Sequence, residues 1–188
     1  MSAFNIYLTG VGGQGIGLLS EILLRAVDHA GRAAVAVDTH GLAQRGGIVV
    51  SRIRVGVAGG TPLIPAHQAD LVVALERHEA LRALGSAARE GGALVYYDTV
   101  WQPLGVRTGD AAEVSPADLE AACRARRVRL VRVHDPELAD ARQQNMRVLQ
   151  AIHREELLDG IGEKAYLEAM EDLMAGEMLS ANRQLFLH

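Results

Sequence analysis

The chain has 188 residues, 49% of them hydrophobic and 22% charged, the composition of one ordinary globular domain and not of a disordered or fibrous chain. A net charge of -4 with only 4% aromatic residues supplies neither a basic field for phosphates nor flat side chains for bases, so nucleic acid is not an expected partner. Cys123 is the only cysteine, which excludes an intrachain disulfide and a four-thiolate iron–sulfur or zinc site.

In chain order, Asn5 to Thr9 reads as an apolar strand; glycines follow at once, and Ile16, Leu18, Leu19, Ile22, Leu23 and Val27 then repeat at helical spacing. Ala33 to Val37 is the expected second strand, closing a β-α-β unit near Asp38. After a polar, glycine-containing loop from Thr39 to Gly47, the stretch Ile48 to Val55 alternates: Ser51, Ile53 and Val55 face one way, Val50, Arg52 and Arg54 the other. The loop is shorter than the dozen or so residues that a parallel crossover needs, so this half-exposed third strand should run antiparallel to a neighbour.

Asp70 to Leu75 follows as a buried strand, Glu76 to Arg89 as a helix, and Ala93 to Tyr97 as a strand, with Gly91-Gly92 as the helix exit. Val100 to Gly109 is a loop excursion. Ser115-Pro116 signals a cap and first helical position for a helix to about Ala125, with Asp118 and Glu120 in its early turns where the dipole favours acids. Val128 to Val133 returns as a strand. From Glu137 the pattern is helical to the end, broken at Gly160 to Gly162 and at Gly176, and these helices should pack on one sheet face or on a partner. The sum is a single three-layer, Rossmann-like α/β domain over residues 1–188 with a mixed, mostly parallel sheet. No apolar run approaches the roughly 18 residues of a membrane span. The start Met1-Ser2-Ala3-Phe4-Asn5 lacks the pattern of a secretory signal, so a cytoplasmic protein is expected.

Gly10, Gly12 and Gly15 fit G-x-G-x-x-G spacing between a strand and a helix. Glycines there allow positive φ and close backbone approach, and the amino end of the helix attracts an anion. The same glycines also serve a purely structural sharp turn. Asp38 could receive a ribose, as in a dinucleotide site, or simply start a loop. The extra glycine Gly13 and the following Gln14 are unusual for a dinucleotide fingerprint.

Two stretches together carry a resemblance: Thr9-Gly10-Val11-Gly12-Gly13-Gln14-Gly15 and Gly41-Leu42-Ala43-Gln44-Arg45-Gly46-Gly47. The pair resembles the gamma-type domain of 2-oxoacid:ferredoxin oxidoreductases. The second stretch with Val49-Val50-Ser51, and Ala69-Asp70-Leu71 with Leu75-Glu76 and Glu79-Ala80, is similar to the small beta subunit of the indolepyruvate branch. Asn145-Met146 resembles the start of a later family helix, although Leu149-Gln150-Ala151 stands where the family has Leu-Gly-Ala.

The resemblance implies a subunit of an oxidoreductase that decarboxylates a 2-oxo acid on thiamine diphosphate, passes electrons through iron–sulfur clusters to ferredoxin, and gives the acyl group to coenzyme A. This chain has no thiamine-binding G-D-G and one cysteine, so both redox centres are expected on a larger catalytic partner. It implies as candidate binding residues Gly10, Gly12, Gly13, Gln14, Gly15, Gln44, Arg45, Gly46 and Asn145, with coenzyme A as the candidate ligand. Arg45 suits a phosphate or carboxylate, or a structural bridge. Alternatives are a free-standing NAD(P) or flavin reductase built on Gly10, Gly12, Gly15 and Asp38, or a non-catalytic binding module.

The remaining constellations are bland. None of the seven histidines lies at metal-ligand spacing, and loop residue His40 is a solvated or pocket-lining group. Arg124, Arg126, Arg127, Arg129 and Arg132 read as a charged edge, with a docking surface second. Ser20 and Ser51 lack a local catalytic motif. Met146, Met170, Met174 and Met178 are core or interface candidates.

Overall fold

The computed structural model describes residues 3–40, 47–101, 112–138 and 140–188. Strand β1 spans Phe4–Val11, helix α1 Ile16–His29, β2 Ala34–His40, β3 Ile48–Val55 and β4 Ala69–Ala74. Helix α2 spans Arg77–Ser86, β5 Ala88–Tyr97, α3 Pro116–Ala125 and β6 Arg129–Val133. A single 3-10 turn, Ala141–Gln143, leads into α4 (Gln144–Arg154), followed by α5 (Glu163–Leu173) and α6 (Gly176–Leu187).

The strands form one six-stranded sheet in the order β2-β3-β1-β4-β5-β6. β3 pairs antiparallel with both β1 and β2, while β1, β4, β5 and β6 pair in parallel. The short loop before β3 forces this reversal, as expected, and places β3 between the two strands of the opening β-α-β unit. β2 runs on to His40 because its pairing with β3 continues to Val49.

Helices cover the sheet on two sides. On one side α1, α4, α5 and α6 bury Leu19, Ile22, Leu23, Leu149, Ile152 and Met170 against Ile6, Leu8, Ile53, Leu71, Val73 and Val95. Each such side chain, fully withdrawn from water, contributes about 1.5–3 kcal/mol. On the other side α2 and α3 pack Ala80, Leu84, Leu119 and Cys123 on Val72, Ala74, Leu94 and Tyr96. The three-layer expectation holds, and the last three helices share one side. Met146, Met170 and Met174 are core; Met178 is 52% exposed. Burial pushes the Cys123 thiol up to about 11, leaving it unreactive.

α3 starts as its sequence dictates. The Ser115 hydroxyl accepts from the Asp118 amide at 3.2 Å, and the Asp118 carboxylate accepts from the Ser115 amide at 2.8 Å. At Gln150, where the resemblance led to a glycine, the side chain is buried and its amide donates to Phe186 O at 3.0 Å, tying α4 to α6.

Gly91-Gly92 is a correction. α2 ends at Ser86, and the glycine pair lies inside β5 at a shift in register: Ala88 faces Ala69, but the next pair is Ala93 with Leu71. The pair shapes a bulge between two core strands instead of ending a helix. The edge arginines are mostly paired, Arg127 with Glu90 and Arg129 with Glu155, but Arg132 turns inward to Asp98. Most of the excursion from Val100 to Gly109 lies outside the described residues.

Candidate functional site

From β1 the chain crosses through α1 to β2 in one direction, and from β4 through α2 to β5 in the other. The order therefore reverses between β1 and β4. Helices on opposite sides leave a crevice at the carboxyl ends of such a pair, the usual ligand position in open α/β sheets. The glycine turn after β1 and the segment Leu75 to Glu79 after β4 form its walls.

The turn is held from inside. Gln14 is 1% exposed; its Oε1 accepts from the Val11 amide at 2.7 Å and its Nε2 donates to Leu75 O at 3.0 Å. Gln14 thus bridges the two walls, and its own part is to brace the turn. Gln144, on the first turn of α4, donates to the same carbonyl at 3.4 Å. A Cβ on Gly10 would lie 2.9 Å from Gln14 Oε1 and from Ile16 Cδ1, so a larger residue there would displace the Gln14 brace or the Ile16 side chain. Gly13 and Gly15 have φ of 106° and 82°, a region costly for residues with a Cβ. Asn145, 2% exposed, donates from Nδ2 to Gly15 O at 3.2 Å. The later Asn and the early glycines, far apart in the chain, are thereby one unit.

α1 begins at Ile16 with no side-chain cap and no acid in its first turn, so its positive end is not neutralised locally. Gly13 has open space where a Cβ would be, leaving the outer surface of the turn accessible. Gly12 N donates to Gly47 O at 2.9 Å, so the end of the second family stretch meets the turn. Gln44, Arg45 and Gly46 themselves, and the His40 side chain, lie outside the described residues.

The β4 wall carries acids that the sequence singled out only through resemblance. Glu76 caps α2, its carboxylate accepting from the amides of His78 (2.9 Å) and Glu79. Burial pushes its pKa above the ordinary value, against the lowering by those amides. Glu79 accepts from the Thr9 hydroxyl at 2.7 Å and from Arg82 Nε at 2.9 Å. Spacing could have flagged Glu76 as a cap, since an acid precedes a helical run; nothing local signals the reach from Thr9 to Glu79.

Beyond β5, an open recess of about 250 Å³ is lined by Asp98, Thr99, Trp101, His134 and Gln144, among others. Asp98 is bonded by Arg77 and by Arg132 Nε at 2.7 Å. Its burial alone would push the carboxyl up, but the hydrogen bonds from Arg77 and then Arg132 hold it below the ordinary value of 3.8. A folded-state pKa below the unfolded one gives stability that is present above the unfolded value and lost as pH falls through the folded one. Asp98→Asn should therefore cost about 2 kcal/mol near pH 7, since both arginines retain some solvent. The gap from wild type should narrow as urea midpoints are taken below pH 4; a pH-independent gap would contradict this account.

Asp38 does not reach the crevice. β3 separates β2 from β1, which puts Asp38 two strand spacings, about 10 Å, from β1. Its carboxylate faces α1, where the Ser20 hydroxyl donates at 3.4 Å. The inserted strand thus removes the ribose partner on which an NAD(P) reading depends.

In sequence and in fold the chain is similar to known proteins. The family model described as pyruvate ferredoxin/flavodoxin oxidoreductase matches residues 5–188. Indolepyruvate oxidoreductase subunit IorB of Archaeoglobus fulgidus is 50% identical over 78 residues, 42% of this chain and 38% of that protein. The IorB of Methanothermobacter thermautotrophicus is 46% identical over 87 residues, 46% of this chain and 44% of that protein. The chain thus matches under half the length of these curated relatives. Among solved structures, the gamma subunit of a keto/oxoacid ferredoxin oxidoreductase from Geobacter sulfurreducens has the same fold, with a TM-score of 0.68 and 19% identity over 98% of this chain and 94% of that one. A 2-oxoglutarate:ferredoxin oxidoreductase from Magnetococcus marinus, solved with 2-oxoglutarate, coenzyme A and succinyl-CoA bound, has a TM-score of 0.67 and 20% identity over 99% of this chain and 30% of that one. On the match from residue 5 to residue 188, the chain belongs to the pyruvate ferredoxin/flavodoxin oxidoreductase family.

Proposed function

We propose that this chain is the small, single-domain subunit of a cytoplasmic thiamine-dependent 2-oxoacid:ferredoxin oxidoreductase of the indolepyruvate type, and that the redox centres reside on a larger partner subunit. The observation that carries this is the family match across residues 5–188, joined to a composition with one cysteine. A four-thiolate cluster needs four ligands, so iron–sulfur chemistry does not fit the side chains of this chain. Among the described residues no three His, Cys, Asp or Glu side chains come together to hold a metal ion, and no helix is long and apolar enough to cross a membrane.

In this reading the chain contributes one wall of a shared site. The glycine turn, braced by Gln14 and Asn145, holds the uncapped positive end of α1 toward that site. Coenzyme A, with its phosphates, is the ligand whose charge suits this end, and Arg45 is the side chain suited to grip it. The partner carries out the decarboxylation; this chain orients the acceptor and helps exclude water.

The test is reconstitution with the larger subunit of the same organism, following viologen reduction with indolepyruvate, pyruvate or 2-oxoglutarate. Neither chain alone should turn over, and the complex should favour indolepyruvate. Full activity of the larger subunit alone, or a flavin or nicotinamide cofactor bound to this chain alone, would overturn the proposal. Titration of coenzyme A into the complex should show weaker binding in Arg45→Ala; unchanged affinity would remove the coenzyme A contact.

A further inference from the structure

We propose that the open side of β2 and β3 is the docking surface for an acidic strip of the larger subunit, with Arg52 and Arg54 as the two groups that receive its carboxylates. This rests on the small-subunit reading above and adds where that subunit is gripped and by what chemistry.

The sheet is unevenly covered. On the side of α2 and α3, those helices lie over β1, β4, β5 and β6. Among the described residues, no helix packs on this side of β2 and β3. Alternation and register fix what is presented there. Ala34 and Ala36 pack toward the α1 side, so Val35, Val37 and Thr39 face the open side. Paired with them across the sheet are the rows Val35–Arg54–Asn5, Val37–Arg52–Tyr7 and Thr39–Val50–Thr9; Tyr7, Val50 and Thr9 are buried, so the accessible part of the face is Val35, Val37, Thr39, Arg52 and Arg54 toward the β2 edge. Ile48, on the same side of β3, is 46% exposed, and Leu63, in the segment that follows β3, is 58% exposed.

The two arginines distinguish this patch from a merely bare sheet face. Arg52 lies over the Tyr7 ring at 5.4 Å and donates to the Thr39 hydroxyl at 3.3 Å. Arg54 donates to Asn5 Oδ1 at 3.1 Å and to Thr61 O at 2.9 Å. All these partners are neutral, and among the described residues neither guanidinium meets a carboxylate. They are held in place by neutral groups, in a chain whose net charge is -4. Preordered arginines beside a tyrosine and aliphatic side chains match the make-up of interface centres, and two guanidiniums that meet only neutral groups among the described residues select an anionic partner. The patch also adjoins the proposed site, because Gly47, next to Ile48, accepts the Gly12 amide. A subunit seated here would close over the glycine turn.

The test is association of the purified larger subunit with wild type and with Arg52→Glu/Arg54→Glu, at low and at high salt. The double reversal should weaken association about 100-fold and remove most of its salt dependence. Arg183→Glu, on α6 across the sheet, should leave it unchanged. Leu63→Asp adds a charge at an exposed position and should weaken it about tenfold, deciding the matter if circular dichroism shows the double variant unfolded. Equal association of the reversed variants and wild type would overturn this inference alone. Failure of wild type to associate would overturn the small-subunit reading as well. Loss of a self-dimer in the double variant, with association to the larger subunit unchanged, would mark the patch as a contact between copies and overturn the inference.

Discussion

Gly15→Ala is expected to destabilise the protein by about 4 kcal/mol, and to do so through a residue 130 positions away in the chain. Two costs combine. Gly15 has φ of 82°, where a residue with a Cβ is strained by about 1–2 kcal/mol. Its added Cβ would also lie 2.5 Å from Asn145 Nδ2 and 3.1 Å from Asn145 Cγ. Asn145 must then swing away, losing its bond to Gly15 O and leaving a buried amide unpaired at a cost of about 1–3 kcal/mol. Asn145→Ala alone should cost about 2 kcal/mol through the lost bond. In that background Gly15→Ala should cost only the backbone strain, so the double-mutant cycle should give a coupling of about 2 kcal/mol. Urea denaturation of the four proteins measures it. Additive effects would mean that Gly15 is glycine for its φ alone and that Asn145 is not its partner. The functional reading predicts a companion effect: reconstituted complex with Gly15→Ala should bind coenzyme A more weakly, because the amino end of α1 is displaced.

This pair shows where sequence reasoning succeeds and stops. The strand, glycine turn and α1 are legible because their signals are local: apolar alternation, a glycine cluster, then helical spacing. β3 was legible to the residue, because alternation with arginines on one side survives in a half-covered strand. The antiparallel direction followed from loop length. The cap of α3 followed from Ser115, Pro116 and Asp118, whose roles depend on neighbours within three positions. What was not legible is the wiring of the site. The resemblance implies Gln14 as a binding residue, yet its side chain lies inside, bridging β1 and β4. Thr9 and Glu79 form a buried pair that the exposed Arg82 guanidinium closes from outside, and Asp98 collects two arginines from opposite directions, but such contacts are created by strand order. The order β2-β3-β1-β4 also set aside Asp38, because a sequence places an acid after the second strand without showing which strand lies beside the first.

The glycine pair after α2 carries the same lesson in energetic form, and Gly92→Ala should cost about 3 kcal/mol. A Cβ there would lie 2.9 Å from Asp70 O, 3.2 Å from Ala69 O and 3.2 Å from Arg89 O. All three are backbone atoms, so no rotamer change relieves the contact. The neighbouring chain is also poorly placed to move. Ala69 N donates to Ala87 O at 2.9 Å, Asp70 accepts from the Asn5 amide at 2.7 Å, and Arg89 Nε donates to Asp70 at 2.6 Å. Shifting β5 outward would strain the pairing of β4 with β5 at the centre of the core, where Leu71, Val72, Leu94 and Val95 are fully buried. Gly91 has a different constraint: φ is 72° and the nearest atom to its Cβ is the flexible Arg89 side chain at 3.7 Å. Gly91→Ala should therefore cost only about 1–2 kcal/mol of backbone strain. Thermal denaturation separates the two, since each kcal/mol lowers Tm by about 2–4 °C in a chain of this size. Gly92→Ala should melt roughly 6–12 °C below wild type and Gly91→Ala roughly 2–8 °C below. A helix-terminating pair would show the reverse order, because the left-handed Gly91 would then carry the cap and Gly92 would stand in open chain. The ranking of two adjacent alanine variants thus decides between a bulge inside β5 and the exit of α2.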